Sequence, residues 1–383
     1  MKVNTLGSGL WLFVTLCLLA YKGFGQIRYF RTPTLPFKAD TTLAYEAAAE
    51  DSIVNDTLFQ MRSKEGFPVA YYRKIRTSVC FDNKCRLLKV NLYWNPTGRY
   101  LGFVLDKGEF LSKAKHKPFK KAEYARMSDI LADPFSPLAT LAYSEIAPSV
   151  KPVDPADEVD GVSSATAKNV LDYVVEGAAY TTYKMWHVVY GPTQEEVTRL
   201  TQKSLSPELL LVILDSPDGL DKRWGLDHIR GNVSLTPALQ TKLFTFINGD
   251  KYNLTERAIH ALDPGEAQDD SWQVLLADKL AVTNYATQKL IINKFKEVAR
   301  LDPQAKKSMA ERLPSLNGEL INNTLDVFQK HRVTDVETCR RIVDLLNNPN
   351  QFVARKAFSY LEKLPIDDQK IAEQLKAYKL KIN

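Results

Sequence analysis

The residues with the most chemistry in their spacing are Asp160-Gly161-Val162-Ser163-Ser164-Ala165-Thr166. One carboxylate and three hydroxyls are set there among side chains no larger than valine. Beyond them Val170, Leu171, Val174, Val175 and Ala178 recur at helical spacing, which predicts a helix from Ala167 to Ala179 with Thr166 at its mouth. Free backbone N–H groups and the positive end of the helix dipole stabilise a phosphoryl group at such a place. The same residues also fit a plain helix start, with Asp160 or Ser163 as the cap and Thr166 packed in the first turn.

Other reactive side chains are sparse. Cys80 and Cys85 flank Phe-Asp-Asn-Lys, and the Asp82-Asn83 turn suits a structural disulfide across a hairpin in an oxidising compartment. His116 lies in the basic run Lys113 to Lys121, which reads as a solvated loop. His228, His260 and His331 show no metal-ligand spacing. Neither a Gly-rich phosphate loop nor a Gly-x-Ser-x-Gly elbow is present, which leaves nucleotide hydrolysis and serine hydrolase chemistry without support.

The run Asp160 to Thr166 resembles the flavinylation motif of FMN-binding domains, which occur in sodium-pumping NADH:quinone reductases, Rnf complexes and exported flavoproteins. That motif reads Asp, two variable residues, Ser or Thr, Gly, Ala, Thr; this chain has Ser164 at the glycine position and Ala167 where Ser or Thr is common. The resemblance covers roughly Arg86 to Tyr190. It implies FMN joined through its phosphate to the Thr166 hydroxyl by a flavin transferase. Asp160, Ser163, Ser164 and Ala165 would then lie along the phosphate and ribityl chain, and His116 would face the flavin ring. The implied function is an exported electron carrier serving a redox partner such as a membrane-associated electron-transfer complex. The competing reading is a non-catalytic extracytoplasmic scaffold for protein binding, with a cofactor-free domain of the same fold.

The elements that must position these residues follow from periodicity. Lys2, the apolar run Leu10 to Ala20, and Gly23 and Gly25 before Gln26 have the layout of a secretory signal peptide, so the protein is expected to be exported, to the periplasm or beyond the cell. Loss of residues 1–25 lowers the net charge from +6 to +4, too little and too dispersed to argue for nucleic acid. Ala and Leu among acids predict a helix over Leu43 to Met61. Leu88, Val90, Leu92 and Trp94 alternate with polar residues as in a half-buried strand; Asn95 to Gly98 then turns the chain, and Tyr100 to Leu105 returns. A helix is expected over Lys121 to Ala132, ended by Asp133-Pro134 and Ser136-Pro137. The aromatic run Tyr183 to Tyr190, with Trp186 and His187, reads as a strand or a buried extended segment.

Beyond Gly191 nearly every segment reads as helix. Thr193 with Glu196, and Thr334 with Glu337, fit capping boxes; Ser206-Pro207, Thr236-Pro237 and Asp302-Pro303 place a cap before a first-turn proline. Tandem short helices suggest stacked pairs of the HEAT or armadillo kind, although no fixed repeat length is evident. The expected class is α+β: a signal peptide (1–25), an N-terminal extension (26–75), a small antiparallel-sheet domain of the FMN-binding kind (76–190) and an all-α repeat-like domain (191–383).

Overall fold

A computed structural model of the chain describes residues 26–47, 53–55, 57–79, 87–113, 117–146, 172–248, 251–263, 271–365 and 367–382. The chain divides into two compact units, Met1–Ser204 and Leu205–Asn383.

The first unit is built on a six-stranded antiparallel sheet. Its strands are β1 (Ile27–Phe30), β2 (Thr41–Glu46), β3 (Thr57–Arg62), β4 (Pro68–Thr77), β5 (Leu88–Trp94) and β6 (Tyr100–Leu105), in the order β1-β6-β5-β4-β3-β2. Strands β2 to β6 form a meander, and β1 closes its far edge. The alternation expected over 88–94 is what sets the faces: Leu88, Val90, Leu92 and Trp94 are buried while Lys89, Asn91 and Tyr93 point the other way. The helices α1 (Lys121–Leu131), α2 (Tyr143–Ile146), α3 (Ala179–Val189) and α4 (Pro192–Gln202) complete this unit. Trp94 Nε1 donates to the Val189 carbonyl across the core at 2.9 Å, and Tyr190 donates its hydroxyl to the Leu131 carbonyl at 2.9 Å.

The turn after β5 is set by Asn95, whose Oδ1 accepts from the amides of Thr97 and Arg99, with Gly98 at φ +79°. Gly102 answers a different demand. A Cβ there would sit 2.3 Å from the Tyr29 carbonyl oxygen and 3.0 Å from the Phe30 ring, which lies across it. On the outer face Phe59, Tyr72, Tyr93 and Phe30 form one cross-strand row, with successive ring centroids 4.7, 5.3 and 4.9 Å apart.

Several expectations are corrected here. The helix expected over Leu43 to Met61 is instead the paired strands β2 and β3, with Tyr45 opposite Leu58. Local helix propensity lost to tertiary pairing, because Leu58 and Gln60 alternate inward with Phe59 and Met61 outward. The aromatic run Tyr183 to Tyr190 lies in helix α3: Thr182, Met185, Trp186 and Val189 are all buried, at a helical spacing. Of the helix expected from Ala167 to Ala179, residues 172–178 are short 3₁₀ and turn structure, and Gly177 at φ +74° breaks any helix ahead of Ala179. Residues 26–75, read as an extension, supply three strands and most of a fourth to the sheet.

Helix α4 belongs to this first unit, one helix beyond the boundary expected at 190/191. Tyr71 and Arg73 on the core face of β4 explain this. The Tyr71 hydroxyl meets Thr201 Oγ1 at 3.0 Å, and Arg73 donates to Thr193 Oγ1 at 2.6 Å. Thr193 is therefore a buried acceptor within α4 and not a capping residue; the N-cap is Gly191, ahead of Pro192. The Tyr71 hydroxyl also accepts from Gln60 Nε2 at 2.6 Å, so the buried amide is satisfied.

The second unit is a two-layer array of helices. One layer is α5 (Pro207–Leu214), α7 (Pro237–Phe246), α9 (Ser271–Asp278), α11 (Pro303–Arg312), α13 (Val336–Val343) and α15 (Gln369–Ile382). The other is α6 (Gly219–Asp227), α8 (Tyr252–Ala261), α10 (Tyr285–Phe295), α12 (Gly318–Lys330) and α14 (Gln351–Leu361). Each helix of the second layer packs on the next, α6 on α8 through α12 on α14, and α9, α11, α13 and α15 do likewise in the first. The second-layer helices begin at residues 219, 252, 285, 318 and 351, a constant step of 33. Columns of buried residues keep that step: Ile229, Leu262, Phe295, Phe328 and Leu361 in one, Leu243, Leu276, Met309 and Ile342 in another. A fixed repeat length is therefore present.

The caps expected at Ser206, Thr236 and Asp302 are in place, each accepting from a first-turn amide one or two residues beyond its proline. The box expected at Thr334 and Glu337 is shifted by one residue: Asp335 is the N-cap and accepts from the Thr338 amide. Asp218, Asn284, Asn317 and Asn350 cap four of the five second-layer helices in the same way.

Candidate functional site

Asp160, Ser163, Ser164, Ala165 and Thr166 lie outside the described residues, as do His116, Cys80 and Cys85. The chain on either side of the motif is anchored in the core of the sheet unit. Ile146 is fully buried before it, and Val174 and Val175 are buried after it. The Val175 amide donates to Thr182 Oγ1 at 3.1 Å, and the Arg126 guanidinium donates to the Asp172 carbonyl.

A cluster of rings gathers at the same place. Tyr143 meets Tyr180 edge-on at 4.8 Å and Tyr183 at 5.8 Å; Tyr183 in turn lies 4.2 Å from the His187 ring. Trp186 Nε1 donates to the Asp133 carbonyl at 3.0 Å, which fixes it as a core residue. Burial lowers the pKa of His187, against a hydrogen bond from its ring to the Leu138 backbone, so the ring is neutral at pH 7. Its Nε2 is buried without a hydrogen-bond partner among the described residues. The other described histidines have structural contacts: His228 stacks on Trp224 and bonds to its carbonyl, His260 Nε2 lies 3.5 Å from Arg230, and His331 Nε2 lies 3.1 Å from the Phe295 carbonyl. Among the described residues no group of His, Cys, Asp and Glu could hold a metal ion. Cys339 is the one described cysteine, buried and unbridged.

In the helical unit neighbouring repeats are tied to one another by polar contacts, two of which, Arg257–Asp227 and Lys356–Asp326, stand three 33-residue periods apart. Arg257 reaches Asp227 at 2.9 Å, Lys289 reaches Glu319 at 2.7 Å, and Lys356 reaches Asp326 at 2.8 Å. These pairs are partly exposed and each contributes little stability. Carbonyls at the ends of second-layer helices are met by the following repeat: Lys294 donates to His260 O, Lys330 to Lys296 O, and the Tyr360 hydroxyl to Val333 O at 2.5 Å.

Between α11 and α13 this stacking leaves a groove of about 460 Å³, within the usual size range of ligand sites. It is lined by Lys306, Lys307, Glu311, Asp335, Glu337 and Arg341, among others. Burial opposes ionisation of Asp335, yet bonds from Lys306 and from the Thr338 amide and hydroxyl hold its carboxyl below the usual range. The groove is thus charged in both signs at pH 7. Sequence reading missed it, because it depends on two helix starts brought side by side; the 33-residue step was the available signal.

No helix among the described residues is long and apolar enough to cross a membrane. No protein-family model matches the chain, and no curated protein matches it.

Proposed function

We propose that this chain is an exported docking protein whose helical unit, a short-period array of the HEAT or armadillo kind, engages a partner protein. The observation that carries this reading is the constant 33-residue step of the second-layer helices. Such stacking builds an extended surface from successive repeats, the use to which repeat arrays are put. Its period is shorter than the roughly 40–47 residues of HEAT and armadillo repeats. The groove between α11 and α13 offers alternating charges to a polar peptide segment. A photo-crosslinking residue at Glu311 or Arg341, in the exported protein in its own cells, should capture one discrete protein species. Capture only from positions on the sheet unit, or none, would count against the reading.

A second reading is favoured by the motif. FMN esterified to Thr166 would make the sheet unit an electron carrier, matured by a flavin transferase and exchanging electrons with a redox partner. It is supported by the half-buried rings of Tyr143, Tyr180 and Tyr183, on the described segments that flank the motif in sequence, a surface suited to a planar heterocycle. The flavin would supply one- or two-electron transfer, and the protein the tether. Intact-mass measurement should show one FMN adduct, lost in Thr166→Val; an unmodified mass from cells with an active flavin transferase would remove this reading.

A further inference from the structure

The outer face of the sheet carries four cations, none closer than 4.0 Å to a carboxylate among the described residues; the acids nearest them are Asp106, which accepts from Asn91, and Glu109. Arg76 on β4 stands directly opposite Lys89 on β5, and Lys74 lies two residues along the same face of β4. Like charges opposed across antiparallel strands are destabilising. Lys89 has only a loose contact with Glu109, at 4.0 Å. Lys74, Arg76 and Arg28 are exposed and have no acidic partner among the described residues.

The aromatic row beside these cations narrows what can bind. Phe59, Tyr72 and Tyr93 stack on one another at about the spacing of neighbouring strands, so the faces between them are already occupied, while Phe30 is tilted by 60° to Tyr93. Cations stand over rings at its two ends: Lys74 Nζ is 5.7 Å from the Phe59 centroid, and the Arg28 guanidinium 5.8 Å from that of Phe30. A nucleobase, which needs a free ring face, finds none between the three stacked rings. What remains on offer is a surplus of positive charge over the Asp106 carboxylate, and the hydroxyls of Tyr72 and Tyr93, which are half-buried and have no hydrogen-bond partner among the described residues.

We infer that this face docks a linear polyuronate, an acidic polysaccharide whose carboxylates pair with Arg76, Lys89, Lys74 and Arg28 while its sugar hydroxyls meet Tyr72 and Tyr93. The cations extend from β4 across β5 to β1, on an open surface and not in a pocket, which suits an extended chain over a small anion. Arginine accepts carboxylates bidentately, and tyrosine hydroxyls both donate and accept. The site is separate from the helical groove and independent of any flavin.

The test is native affinity electrophoresis of the full chain in gels containing polygalacturonate, neutral dextran or oligo(dT). Polygalacturonate should retard the protein and dextran should not. The retardation should fade between about 0.1 M and about 1 M salt, as the screening length falls from about 10 Å to about 3 Å. Arg76→Gln with Lys89→Gln should weaken binding at least about tenfold while leaving the melting temperature equal or higher, because a repulsion is relieved. Lys74→Gln alone should weaken it less. No retardation by polygalacturonate, equal retardation by dextran, or undiminished binding in the double variant would overturn the proposal. So would a marked fall in melting temperature, which would make the two cations structural. Stronger retardation by oligo(dT) would replace the glycan with a nucleic acid.

Discussion

Tyr71 shows how one side chain joins two stretches of sequence into a unit. Its hydroxyl receives Gln60 Nε2 and meets Thr201, all three buried. Tyr71→Phe should cost about 1–3 kcal/mol in urea unfolding, since Gln60 and Thr201 lose a partner without access to water. Gly102→Ala should cost about 3 kcal/mol or more, because the new Cβ meets backbone that a rotamer change cannot move. Cys339 gives a pH prediction. Burial, and next Asp335, push its thiol up to about 11. A folded pKa raised above the unfolded value favours the native state fully below about pH 8.5, and that contribution is lost as pH rises toward 11. The native protein should therefore leave this thiol unmodified by a thiol reagent at pH 8, with modification appearing on unfolding. Rapid labelling of Cys339 in the folded state would contradict the packing described for α13.

At the scale of elements, the repeat register makes a sharper statement than any single helix. Lys251 occupies the cap position that Asp218, Asn284, Asn317 and Asn350 hold in the other second-layer helices, and its side chain makes no cap bond. Lys251→Asn should raise stability by about 0.5–1 kcal/mol, whereas Asn317→Ala should lower it by about 1 kcal/mol, both measurable by thermal unfolding. The sequence was readable where local signals and tertiary demands agree. The proline-led caps at Ser206, Thr236 and Asp302 and the alternation over Leu88 to Trp94 are such places. It misled where they diverge. Aromatic and β-branched residues from Tyr180 to Val189 have strand propensity, yet the pattern of Thr182, Met185, Trp186 and Val189 is helical. Ala- and Leu-rich residues from 43 to 61 have helix propensity, yet pairing with β4 holds β3 extended. The 33-residue step stayed hidden because its columns preserve burial and not identity, as Leu243, Leu276, Met309 and Ile342 illustrate.

For the molecule as a whole, the α+β organisation with a helical array was legible, and the candidate sites were legible only in part. The motif ending at Thr166 is a local signal and could be seen in the sequence; the groove beside Arg341 and the opposed cations Arg76 and Lys89 arise from register and could not. Because repeats contact mainly their neighbours, removal of one whole period should be tolerated. Deletion of residues 285–317 should leave a folded chain that unfolds cooperatively, while deletion of a non-integral number of residues there should not. The docking function is tested most directly by the charge-reversed variant Lys307→Glu with Arg341→Glu, made in the full chain and followed by circular dichroism and by recovery of the crosslinked species from Glu311. The account predicts an unchanged helical spectrum with the crosslinked species lost. An unchanged spectrum with undiminished crosslinking would contradict it.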